Sequence, residues 1–128
     1  MKILVVDDEQ DVRVLFEQRF RREIRSKEIE FSFAYSGEEA LQYLQDHFSE
    51  VVLILSDINM PGMSGLELLR HIRQDYPVPP PPPTVMMITA YGDQHTHDEA
   101  LRLGANDLLT KPVDFVALKE KLHSLSSL

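Results

Sequence analysis

The sequence predicts an α/β fold in which a parallel sheet carries helices on both faces. Three observations lead there. Short apolar runs alternate with stretches of helical periodicity, five times over, and such alternation implies parallel strands joined by crossover helices. Two of the runs, Ile3–Val6 and Val51–Leu55, are apolar without interruption, as strands buried on both faces are. With 128 residues and 43% hydrophobic content, the chain fits one domain with a substantial core.

Ile3–Val6 is the first strand, and Asp7, Asp8 and Glu9 follow at its end. From about Gln10, Val12, Leu15, Phe16, Phe20 and Ile24 form one stripe of a helix whose other face carries Arg13, Glu17, Arg21 and Arg22. Ile29, Phe31, Phe33 and Tyr35 alternate with smaller or polar residues, which predicts a half-exposed edge strand. Ser36 caps the next helix, with Glu39 completing a capping-box pattern and Ala40, Leu41, Leu44 and Phe48 facing inward.

Val51–Leu55 is the central strand, with Ser56-Asp57 at its tip and a Pro61-Gly62 turn beyond. Ser64 caps a third helix, with Leu66, Leu68, Leu69 and Ile72 inward. The segment Tyr76–Thr84, YPVPPPPPT, has six prolines in seven positions. It cannot be helix or interior strand, and a stiff polyproline II spacer is expected. Val85–Thr89 is the fourth strand, and a short helix follows through Ala100, Leu101 and Leu103 to a stop at Gly104. Asp107–Thr110 is a brief fifth strand that Lys111-Pro112 breaks. Asp114 caps the last helix, which turns Phe115, Leu118, Leu122 and Leu125 inward.

In a parallel sheet all carboxyl ends lie at one edge, where open α/β sheets bind ligands. Here the strand ends deliver Asp7 and Asp8, Asp57, Thr89 and Lys111 to that edge. Clustered carboxylates repel one another unless a cation sits among them, and an all-oxygen set suits Mg²⁺. A metal, an ammonium and a hydroxyl together match the charge of a transferring phosphoryl group. Asp57 then becomes a candidate nucleophile forming an aspartyl-phosphate.

The set VVDDE, LILSDINMPGMSG, MMITAYGD and LLTKPVD resembles the receiver domain of two-component response regulators, and the resemblance covers essentially the whole chain. It implies a flavodoxin-like (βα)5 fold with strand order 2-1-3-4-5. It implies Asp57 as phosphoacceptor, and Mg²⁺ held by Asp8, Asp57 and the backbone carbonyl of Asn59, with Asp7 on the ion or its water. Lys111 would pair with Asp57 at rest and with a phosphoryl oxygen afterwards, and Thr89 would bond another. A cis Lys111-Pro112 bond is expected. So are a histidine kinase or histidine phosphotransfer protein as donor, a downstream output of unknown identity, and room for a phosphorylation-dependent homodimer. The resemblance fits a single receiver domain over 1–128, stand-alone or the N-terminal part of a longer regulator. Leu108 departs from the pattern, which usually has Tyr or Phe three residues before the lysine.

The net charge of −8 argues against nucleic acid or an anionic membrane as this domain's partner. The absence of cysteine excludes disulfides and thiolate chemistry. With no apolar run of membrane-spanning length, a cytoplasmic location is expected. His95, His97 and His123 read as surface histidines rather than a metal set. Two other functions compete with this reading. A phosphorylation-independent interaction module has only Leu108 and the proline segment in its favour. A turnover phosphohydrolase needs a second acid two residues after the nucleophile, where this chain has Asn59. The receiver is expected to catalyse only its own phosphorylation and dephosphorylation.

Overall fold

Apolar strand residues that point alternately to opposite faces need cover on both, and the fold supplies it. In the structure, a computed structural model describing residues 1–75 and 83–126, the strands are β1 (Lys2–Val6), β2 (Glu30–Ala34), β3 (Val51–Asp57), β4 (Thr84–Thr89) and β5 (Asp107–Thr110). They form one sheet in the order β2-β1-β3-β4-β5, with every pairing parallel. This is the doubly wound α/β architecture expected, with β2 at an edge.

The helical segments are α1 (Asp11–Arg19), α2 (Arg21–Arg25), α3 (Gly37–His47), α4 (Gly65–Asp75), α5 (Gln94–Arg102) and α6 (Phe115–Ser126). Ile3, Val5, Leu53, Leu55 and Ile88 face a cluster with Phe16, Phe20, Leu118 and Leu122, under α1, α2 and α6. Leu4, Val6, Ile54 and Met87 face the other, with Leu44, Leu68, Leu69 and Ile72 of α3 and α4. Three expected caps form: Ser36 Oγ accepts from the Glu39 N–H, Ser64 Oγ from Glu67, and Asp114 Oδ1 from Val116 and Ala117. Each satisfies helix-start donors that otherwise lack partners. Gly104 ends its helix at φ +103°, and Gly62, at φ +72°, makes the turn after Pro61.

Four details differ from the expectation. The first helix is not continuous, because Phe20 (φ −108°, ψ 22°) separates α1 from α2. Its ring, fully buried, stacks on Phe16 and meets Phe31 and Phe115 edge-on, so seating the ring accompanies a backbone turn that the apolar spacing does not reveal. Leu15 lies outside the buried stripe at 39% exposure. Val52 is 41% exposed within an apolar strand. Lys2 opposes Val51 while Ile3 opposes Leu53, so Val52 is the extra residue of a bulge and turns outward. Leu101, on α5, is also exposed, whereas Leu103 and Leu108 pack against the core.

Most of the proline segment, Tyr76–Pro82, lies outside the described residues, and with it the polyproline II expectation. No helix among the described residues is long and apolar enough to cross a membrane.

Candidate functional site

The strand order reverses between β1 and β3, because β2 and β3 lie on opposite sides of β1. A crevice at such a point opens above the carboxyl ends of both strands. The chain places Asp7 and Asp8 just past β1 and Asp57 as the last residue of β3. One carboxylate oxygen from each of the three lies within 4.8 Å of the others. Asp7 and Asp57 are buried, at 7% and 2% exposure, while Asp8 keeps solvent access.

Both carboxylates are aimed by fixed groups. Asp57 Oδ1 accepts the Asn59 N–H at 3.1 Å, and Oδ2 receives the Lys111 ammonium at 3.0 Å. Asp7 Oδ1 accepts the Glu9 N–H at 2.9 Å, and its Oδ2 lies 3.8 Å from Lys111 Nζ. Lys111 is itself positioned by its backbone N–H, which donates to the Thr89 carbonyl at 2.8 Å, and the Lys111-Pro112 bond is cis, as expected. Behind Asp57 the α4 N-terminus closes in. A Cβ on Gly65 would stand 2.1 Å from the Asp57 carbonyl oxygen, so only glycine fits there.

The electrostatics follow from this crowding. Burial raises the Asp7 carboxyl above its ordinary range; the charges of Asp57 and Asp8 add to the effect, while the Glu9 N–H and Lys111 oppose it. Burial alone would lower the Lys111 ammonium. The hydrogen bond to Asp57 and the charges of Asp57, Asp7 and Glu9 outweigh it, so its pKa is raised. One ammonium faces three carboxylates, and the site is left with excess negative charge. Hard oxygen donors with that excess fit a divalent cation such as Mg²⁺.

Thr89, fully buried at the end of β4, points its hydroxyl elsewhere. Oγ1 lies 3.3 Å from Asn59 Oδ1 and 3.2 Å from the Tyr91 carbonyl, and it accepts the Tyr91 N–H at 3.0 Å. With a single proton it donates to one of the two acceptors at a time. All six sequence candidates therefore converge: Asp7, Asp8, Asp57 and Lys111 form the acidic pocket, Asn59 bridges it to Thr89, and Thr89 sits one hydrogen bond away. His95 and His97 are exposed on α5, and the acidic trio is the one group of potential metal ligands found among the described residues.

Sequence reasoning missed two residues. Gly65 is one; the small-residue pair Ser64-Gly65 at a helix start was its only signal. Arg73 is the other. Its guanidinium donates to the Gly104 and Pro83 carbonyls and to Asn106 Oδ1, tying α4 to the start of β4. A lone arginine on a helix gives no hint of this in sequence.

Comparison with known proteins agrees with the geometry. Residues 3–123 match the model of the response regulator receiver domain. The chain is 41% identical over 120 residues to the response regulator PilR of Pseudomonas aeruginosa, covering 93% of this chain and 24% of that protein. It is 33% identical over 126 residues to the response regulator RppA of Synechocystis, covering 98% of this chain and 50% of RppA. The chain thus spans a quarter to a half of these relatives. Among solved structures, a receiver domain from Clostridium thermocellum superposes with a TM-score of 0.82 at 27% identity, covering 97% of this chain and 92% of that one. The CheX-CheY-BeF3-Mg complex from Borrelia burgdorferi contains a chain that matches with TM-score 0.82 at 26% identity, covering 98% of this chain and 88% of that one.

The chain belongs to the response regulator receiver domain family. It is a receiver domain of two-component signal transduction, and the comparisons lend no support to a phosphorylation-independent module. Receivers of this family are generally Mg²⁺-dependent, and they interact with kinases or phosphotransfer proteins and with output domains.

Proposed function

We propose that Asp57 is the phosphoacceptor. The supporting observation is its carboxylate, buried at the switch point between two other acids, with one oxygen on the Asn59 N–H and the other on the Lys111 ammonium. Phosphoryl transfer is largely a matter of positioning and charge. An Asp57 oxygen attacks phosphorus of a phosphohistidine. The P–N bond breaks as the O–P bond forms, and its electron pair returns to the imidazole of a histidine kinase or histidine phosphotransfer protein. Lys111 is already in contact and shifts its ammonium onto a phosphoryl oxygen. Thr89 reaches another by releasing Asn59 and Tyr91, which loosens the β4–α5 loop. Asp7, Asp8, Asp57 and the Asn59 carbonyl would hold Mg²⁺, which supplies charge neutralisation as the phosphoryl group arrives. A beryllofluoride–Mg complex of a structural relative accords with this assignment.

The function is then a phosphorylation-controlled switch, in which the phosphoryl group shifts the populations of two conformers. The output it controls, a phosphorylation-dependent homodimer and a cytoplasmic setting all belong to this same reading. Incubation with Mg²⁺ and acetyl phosphate should add one phosphate to the intact mass, and Asp57→Asn should abolish the adduct. An adduct that persists in Asp57→Asn would refute the assignment.

A further inference from the structure

At the opposite end of the sheet the chain gathers basic side chains. Of its 13 lysines and arginines, eight have a partner: Lys2, Arg13, Arg102, Lys111, Lys119 and Lys121 in ion pairs, Arg19 over the Phe115 ring and Arg73 on carbonyls. Four of the remaining five, Arg21, Arg22, Arg25 and Lys27, fall within seven consecutive residues. All four are exposed, and no ion pair or ring contact is made by them among the described residues. In a chain of net charge −8, a run of unneutralised guanidinium groups is a local reversal of sign.

The patch is also concave. Arg19, Arg21, Arg22, Arg25 and Lys119 line an open recess of about 600 Å³. A smaller one of about 230 Å³ adjoins it, lined by Met1, Phe20, Ile29 and Leu122 together with Glu28 and His123. Glu23 and Lys119 line both. Glu23 Oε2 pairs with Lys119 Nζ at 3.2 Å, but its Oε1 is buried with no hydrogen-bond partner.

We propose that this pole is a docking surface for an acidic segment of a partner protein. One apolar side chain of that segment seats in the smaller recess, and its flanking carboxylates are forked by Arg21, Arg22 and Arg25. Nucleic acid is disfavoured, because the rings at the patch are covered: Phe20 is fully buried and Phe115 lies beneath Arg19, so no base can stack on an aromatic ring here.

The test uses the whole chain and a labelled peptide of glutamates around one central leucine, read by fluorescence anisotropy. Saturable binding that weakens with salt is expected. It should fall at least about tenfold in Arg21→Glu/Arg22→Glu/Arg25→Glu, and again when serine replaces the peptide leucine. Arg21→Gln/Arg22→Gln/Arg25→Gln is the milder companion, and a cooperative thermal transition certifies either fold. Absent binding, or binding indifferent to these changes, overturns the proposal. Polyphosphate or a single-stranded oligonucleotide binding as tightly as the peptide reduces the patch to a general anion site and also overturns it. Self-association that the triple variant abolishes and the peptide does not compete makes the occupant a second copy instead. Because the patch lies away from Asp57, phosphorylation by acetyl phosphate should be unchanged in the variants, so this result stands apart from that of the phosphoacceptor.

Discussion

The carboxyl edge of the sheet and its amino pole both concentrate charge of one sign, but they hold it differently. At the carboxyl edge Asp7 and Asp57 are buried and fixed by backbone N–H groups, and a single ammonium serves the cluster. At the amino pole Arg21, Arg22 and Arg25 stand in solvent with no partner among the described residues. Buried like charge destabilises the fold but is held in a defined geometry, which chemistry needs. Exposed like charge destabilises it little and stays adaptable, which suits recognition. The two ends therefore teach that the cost of a charge cluster tracks its burial rather than its size.

Substitutions sharpen this contrast. The largest effect is expected from Gly65→Ala, whose Cβ would meet the Asp57 carbonyl oxygen at 2.1 Å. Helix α4 must move, with a loss of about 3 kcal/mol in urea unfolding and a weakened response to acetyl phosphate. A parent-like midpoint would show that the edge is more compliant than its packing indicates. Lys111→Met comes next. It strands two buried carboxylates and should cost about 2 kcal/mol at neutral pH without metal. The Lys111 pKa is raised in the folded chain, so its stabilising contribution is present below the unfolded lysine value and fades as pH rises through the folded one. The deficit of the variant should shrink accordingly in alkali.

Asp7→Asn has the opposite sign. The Asp7 pKa is raised by burial, so folding disfavours its ionised form. The penalty is absent below the unfolded pKa and complete above the folded one. The variant should therefore be more stable than the parent by about 1 kcal/mol at neutral pH, with the gain vanishing in acid and Mg²⁺ affinity reduced. A variant less stable at neutral pH would mean that the Lys111 contact outweighs burial. The smallest effect belongs to the amino pole. Arg22→Gln should leave the thermal midpoint where it is, and a clear shift would reveal an ion pair that the fold does not display.

How much of this was legible follows from where the information sits. Asp7, Asp57, Thr89 and Lys111 could be read because each ends an apolar run, and a parallel sheet brings such ends together whatever its loops do. The caps at Ser36, Ser64 and Asp114 are local in sequence and were readable for that reason. Phe20 was not, since the apolar spacing continues unbroken across the turn between α1 and α2. Val52 was hidden because a bulge depends on the register of the neighbouring strand, which Val-Val-Leu-Ile-Leu does not encode. The hydrogen bond from Thr89 to Asn59, like the contact of Gly65 with Asp57, joins residues on different elements and appears only when the elements are placed.

The central assignment, Asp57 as the residue that takes the phosphoryl group, can be tested by trapping. The chain is incubated with acetyl phosphate and Mg²⁺, reduced with borohydride, digested and mapped by tandem mass spectrometry. Reduction of an aspartyl-phosphate yields homoserine. Homoserine at position 57, dependent on both Mg²⁺ and the phosphodonor, is the expected result. Homoserine at position 7 or 8 with position 57 untouched would contradict it.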